Sequence, residues 1–352
     1  MKIAILADTH FGARNDSQLF LDYFTNFFEK TFFPECERRG VKTIIHLGDL
    51  MDRRKFVNFN TLSQMREKFV QPIVDGGYDF HCIVGNHDTY FKNTNDVNSP
   101  MELFGGRYDN IHIYDEPVSL TLDGCKFAMV PWINKENESN CLDFIANSSA
   151  KILCAHLELD GYQVMRGIDH VGGYDASTLS HFDKVWTGHF HVEHKKDNIH
   201  YVGTAYQMTF SDLFEKKGFY IYDTETDDME FVENPEQKFF SLQYTDDTDY
   251  TMVDFRKFRG SYVKVFVHEK KNAARFDKLI ERLYDSRAES VMILENEMQK
   301  QESKPVDEGT LATDTLTLIG EQIDDIHSND KDEAERLKNL FKELYLESFD
   351  EN

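Results

Sequence analysis

Short apolar runs punctuate the chain, and each gives way to a polar cluster: residues 3–7, 43–47, 80–84, 125–130, 152–155 and 184–186. Runs this short and this uniformly apolar predict strands buried on both faces. Longer amphipathic stretches lie between them. Across residues 19–38, Phe20, Phe24, Phe27 and Phe28 recur at helical spacing, which predicts a helix. The alternation of the two patterns predicts layered α/β structure.

The texture changes after residue 210. Residues 219–222 and 262–267 alternate like strands, 276–284 read as helix and 291–294 as another strand. A first domain over residues 1–210 and a small α+β unit over 211–296 are expected. Residues 297–311, polar and containing Pro305, predict a flexible linker. Beyond it, Leu316, Ile319, Ile323 and Ile326, then Leu337, Leu340, Phe341 and Leu344, predict two short amphipathic helices within 312–352.

Charge narrows the function classes. The 352 residues carry a net charge of -24, which argues against a protein that coats nucleic acid or membrane by bulk electrostatics. Any contact with DNA must be local. The five cysteines, Cys36, Cys82, Cys125, Cys141 and Cys154, have no CxxC spacing and read as reduced core thiols. No apolar segment approaches the roughly 18 residues a membrane span needs, so a soluble, cytoplasmic protein is expected.

The polar clusters carry the chemistry. In order they are Asp8-Thr9-His10, Gly48-Asp49-Leu50-Met51-Asp52, Gly85-Asn86-His87-Asp88, His156 and Gly188-His189-Phe190-His191. A lone Gly-Asp or a lone histidine after a strand is ordinarily a turn or a satisfied polar group, and each glycine here is open to that reading. Five such clusters in step with five strand ends are not, because loops at the carboxyl ends of an open sheet converge on one site. Asp8 and His10, two apart on an extended exit from a strand, can leave the same face and grip one ion; His189 and His191 repeat the spacing. Carboxylate, amide oxygen and imidazole without thiolate suit manganese, iron or zinc in a catalytic site. The donors outnumber the needs of one ion, and two ions about 3.5 to 4 Å apart are the arrangement that clamps a phosphoryl group.

The order DxH, GDxxD, GNHD, His, GHxH resembles the calcineurin-like metallophosphoesterases. The forms DTHFG, GDLMD and GNHD are most similar to the SbcD family of double-strand-break nucleases, and the acidic helical tail resembles that of recombination endonuclease subunits of T-even bacteriophages. The resemblance implies a four-layer α/β/β/α sandwich with a cap domain and a helical tail. It implies that Asp8, His10 and His191 hold one divalent ion, that Asn86, His156 and His189 hold the other, that Asp49 bridges them, and that the ions are Mn2+. His87 matches the family's catalytic histidine, which neutralises or protonates the leaving oxygen, with Asp88 orienting it. Asp52 is open between supporting a metal-bound histidine, touching substrate and pairing with Arg53.

The implied activity is hydrolysis of DNA phosphodiesters, 3′-to-5′ exonuclease on duplex ends and endonuclease on single strands. Basic groups at residues 53–55, 194–196, 256–259 and 270–271 are the local candidates for phosphate contacts. Residues 312–352, with 12 acidic and four basic residues, form a terminal helical pair that invites a partner, and the resemblance implies that they dock on the coiled coil of an SbcC-type ABC ATPase. A homodimer is implied as well. The rivals are a phosphatase or small phosphodiesterase of the same fold and a scaffold that has lost catalysis.

Overall fold

The computed structural model describes residues 1–295 together with Ile323, Leu337 and Lys338. The expected linker and, apart from those three positions, the expected helical tail lie outside the described residues.

The strands come in chain order as β1 (Lys2–Leu6), β2 (Thr43–His46), β3 (Asp79–Ile83) and β4 (Ile111–Tyr114), then β5 (Val118–Leu122), β6 (Cys125–Val130) and β7 (Ile152–His156). A short hairpin, β8 (Gln163–Met165) and β9 (Ile168–Asp169), precedes β10 (Lys184–Gly188), β11 (His194–Lys196) and β12 (Ile199–Tyr201). Last come β13 (Gly218–Asp223), β14 (Asp228–Glu233), β15 (Phe239–Tyr244), β16 (Tyr262–Val267) and β17 (Ser290–Glu295). Two six-stranded sheets form, in the orders β14-β13-β1-β2-β3-β4 and β11-β12-β10-β7-β6-β5.

Each of the uniformly apolar strands is buried on both faces, as its pattern requires. Ile3, Ile5, Ile45 and Ile83 of the first sheet meet Phe127, Met129, Cys154 and Trp186 of the second in one continuous core. The opposite face of the second sheet, with Ala128, Leu153 and Val185, packs on Cys141 and Ile145 of the helix Glu138–Asn147. Against the first sheet lies an aromatic layer in which Phe28 and Phe69 approach to 4.6 Å and Phe32 meets Phe219 at 4.7 Å. Helix, sheet, sheet and helix therefore form the expected four layers. The predicted helix runs from Gln18 to Arg39, with one wide π turn at Phe28–Phe32.

Residues 219–222 do not begin the second unit. They lie in β13, which pairs antiparallel with β1, Ile3 opposite Tyr222, and β13 with β14 closes the first sheet. Their apolar alternation reflects a sheet partner far upstream in the chain, which local pattern cannot reveal. Residues 1–205 and 216–234 form one compact unit, and 206–215 with 235–295 form another.

In that second unit β15, β16 and β17 make a parallel sheet, with Phe239 opposite Tyr262 and Tyr262 opposite Ser290. The helix Ala273–Asp285 crosses between the last two strands, capped by the Asn272 side chain accepting from the Arg275 amide at 3.1 Å. Phe276, Leu279 and Leu283 close on Val263 and Val265 as its own core. No helix among the described residues is long and apolar enough to cross a membrane.

Candidate metal centre

The carboxyl ends of β1, β2, β3, β7 and β10 bring all seven predicted ligands together. Asp8, His10 and His191 offer ligand atoms within 4.8 Å of one another, and so do Asp49, His156 and His189. The Nε2 atoms of His10 and His191 lie 3.1 Å apart. Asn86 joins the second group, its Oδ1 2.9 Å from His156 Nε2 and 3.0 Å from His189 Nδ1. Asp49 Oδ2 stands 3.3 Å from His156 Nε2 and 3.7 Å from His10 Nε2, between the groups.

The loops do not leave the strands in extended form. Asp8, His10, Asp49 and His189 have φ of 51°, 42°, 54° and 90°, the left-handed region that few residues other than glycine enter. These sharp turns fold the side chains inward over the strand ends. They also separate His189 from His191, so the equal spacing of DxH and HxH does not mean equal geometry: the first pair shares a group and the second pair is split. Nor is Gly85 a mere turn residue. A Cβ there would overlap the Asp49 Oδ1 and amide nitrogen, and one on Gly48 would come within 2.5 Å of His156 Nδ1.

The donor set fits divalent cations. Asp8 Oδ2 is buried without a hydrogen-bond partner, an arrangement that is costly for a carboxylate unless a cation faces it. His156 Nδ1 donates to the Leu47 carbonyl at 2.7 Å, which fixes the ring and leaves Nε2 to act as ligand.

The sequence model of the calcineurin-like phosphoesterase family matches residues 1–234. The chain belongs to the calcineurin-like phosphoesterase family. As a member it is a metal-dependent phosphodiesterase. Exonuclease subunit 1 of enterobacteria phage T4 is 31% identical over 349 residues, 99% of each chain. The SbcD component of the nuclease SbcCD of Staphylococcus epidermidis is 25% identical over 65% of this chain and 67% of its own. A solved archaeal phosphodiesterase is 16% identical, with a TM-score of 0.33 over 66% of this chain and 100% of its own.

Within the phosphoesterase centre, charge is arranged around Asp49. Burial pushes its carboxyl up, but the imidazoles of His156, His87 and His10 outweigh burial and hold it well below the usual range. Burial lowers His156, and the Asp49 and Asp8 carboxylates reverse this and raise it to about 9. Asp8 is pushed up by burial and by Asp49. An anionic Asp49 against an imidazolium at His156 is the charge distribution that a dication would replace.

His87 stands with its ring centroid 4.8 Å from that of His10. Its Nδ1 donates to the Asp52 carbonyl at 2.8 Å, and its amide donates to Asp49 Oδ1 at 2.8 Å. Asp88 has a different task from the one expected. Its carboxylate accepts from the amides of Gly85, Met51 and Leu50 at 2.9, 3.0 and 3.2 Å, tying the GDLMD and GNHD loops together. Orientation of His87 thus falls to a main-chain carbonyl, which no residue-type pattern marks. The Asp52 side chain lies 3.4 Å from His10 Nδ1, while Arg53 pairs with Asp16 at 3.3 Å.

Two contributors escaped the motif reading. His46, inside β2, places Nε2 3.0 Å from Thr9 Oγ1 and is held neutral by burial, bracing the DTH loop. A histidine within an apolar run was the available signal. Half-buried Trp132 lies 5.1 Å from the His189 ring. Among the basic groups, half-buried His194 stacks on Tyr201 at 4.9 Å, whereas Arg54 reaches Thr89 beside His87 at 3.4 Å.

Proposed function

We propose that this phosphoesterase is a Mn-dependent DNA nuclease, exonucleolytic on duplex ends and endonucleolytic on single strands. The observation that carries the reading is His87 set against the convergence of Asp8, His10, Asp49, Asn86, His156, His189 and His191, in a chain similar over its full length to a phage exonuclease subunit. Divalent ions held by those residues would supply Lewis-acid activation of water and of the phosphoryl oxygens. With its Nδ1 proton committed to the Asp52 carbonyl, His87 as an imidazolium would give its Nε2 proton to the leaving oxygen and become the neutral Nδ1–H form. Asp52 fixes the His10 ring, and Asp88 fixes the two loops relative to each other. Arg54 is the nearest candidate for a phosphate contact.

The chain acts in the cytoplasm of a phage-infected host as the nuclease subunit of an SbcCD-like complex in recombination and repair. Residues 206–215 and 235–296 serve as a cap that positions DNA, and residues 312–352 dock on an SbcC-type ATPase. Exposed Phe59, 88% accessible, and Phe56, 61% accessible, on and beside the helix Phe59–Met65 support a homodimer through that face. The test is cleavage of end-labelled duplex DNA with manganese, magnesium or chelator, beside para-nitrophenyl phosphate and an Asp49→Ala control. Manganese-dependent shortening lost in the control is the expected result; turnover of the small ester with DNA intact, ATPase present, would replace DNA as the substrate.

A further inference from the structure

The hairpin that closes the first sheet delivers one side chain into the catalytic unit. Lys217 immediately precedes β13, and its carbonyl accepts from the Asn234 amide at 2.7 Å, just past β14, so the residue is clamped at the open end of the hairpin. The side chain does not run out to solvent. It is only 4% exposed, and its Nζ donates to the His191 carbonyl at 2.8 Å.

That carbonyl is a junction. It also accepts from the Thr204 amide at 3.2 Å, and the chain passes so close that a Cβ on Gly203 would stand 3.0 Å from the same oxygen. His191 therefore has its main chain fixed by a buried ammonium and by an adjacent loop, while its ring meets His10 on the other side. A charge-assisted bond shielded from water is among the stronger ways to fix a peptide group. His189 and His191 belong to different ligand groups, so a shift of the His191 peptide is felt by one group first.

We infer that Lys217 is a positioning residue for His191, and that through it the β13–β14 hairpin sets the occupancy of the ion held by Asp8, His10 and His191. The inference rests on the reading that the centre takes two ions. Partners that orient metal ligands from outside the coordination shell typically control affinity by about 10- to 100-fold.

The experiment is calorimetric titration of the full metal-free chain with Mn2+, resolving the two affinities, for the unaltered protein, Lys217→Met and Lys217→Gln. Melting of the chelated proteins runs in parallel. The methionine fills the same space without a donor; the shorter glutamine keeps a polar group and serves if the methionine variant fails to fold. The expected result is one ion bound as tightly as before and the other at least about tenfold weaker in each folded variant. Two unchanged affinities, or two that fall together, would overturn the inference while leaving the two-ion reading intact. Uptake of fewer than two ions by the unaltered chain would sink that reading and this inference with it.

Discussion

Two histidine clusters of the phosphoesterase unit draw on the same residue types, one at the carboxyl ends of five strands and one along the β3–β4 pair. In the second, Asp79 accepts from His81 Nε2 at 3.1 Å and from His112 Nε2 at 2.9 Å, and His81 Nδ1 lies 2.7 Å from the Tyr114 hydroxyl. His81 and His112 face each other across the ladder with their rings stacked at 4.9 Å. Both lie on regular strand, and Asp79 is matched to each. At the strand ends the backbone is left-handed at four ligands and Asp8 Oδ2 has no donor. Histidine and aspartate in proximity do not define a metal centre. Asp8 Oδ2, buried without a partner on a left-handed backbone, sets the strand-end cluster apart, because a facing cation would offset that cost.

The strongest way to break this contrast is to remove the carboxylate that stands between the two strand-end ligand groups. Asp49→Ala should reduce phosphodiester cleavage to background and abolish uptake of at least one ion, measured by elemental analysis of desalted protein. His87→Ala should lower kcat by about 10²- to 10⁴-fold with metal content retained. Loss of metal in that variant would mean the ring is a ligand rather than a proton donor. Gly85→Ala should weaken metal binding by about 10- to 100-fold although no ligand is altered, since its methyl displaces Asp49.

The pH response sharpens the same point. His156 in the metal-free fold titrates near 9, above the ordinary 6.5, so the pair with Asp49 stabilises the chelated protein fully below pH 6.5 and is lost as pH rises to about 9. A dication must displace that proton. Mn2+ should therefore raise the melting temperature more at pH 9 than at pH 6.5, and binding at pH 7 should release protons, seen as a dependence of the apparent heat on buffer ionisation enthalpy. The smallest effect belongs to the other cluster: Asp79→Ala should cost no more than about 1 kcal/mol of stability, because its carboxylate is half-exposed, and should leave metal content untouched.

Much of the centre was legible because its residue types are chemically dictated and its strands are buried on both faces. The layered fold and the gathering of ligand-type residues at the strand ends follow from those two facts. What stayed hidden depends on backbone geometry and distant pairing. The left-handed turns at Asp8 and His189 leave no mark on spacing, so the two-apart pairs looked equivalent. Asp88 looked like a partner of its neighbour His87, but its carboxylate reaches amides 37 and 38 residues away. The β13–β14 hairpin belongs with β1 by register alone, and Lys217 was invisible until that pairing was known.

The first sheet contributes Asp8, Asp49 and Asn86, and the second contributes His156 and His189, to groups only a few ångströms across. The centre is thus a caliper laid across the sandwich. Any slip of one sheet over the other opens its jaws, and what resists slippage is the plain apolar plane of Ile5, Ile45, Met129 and Trp186 between the sheets. Trimming one of these side chains should loosen the ions before it unfolds the chain, so that damage to the interior is first read as an enzyme starved of metal.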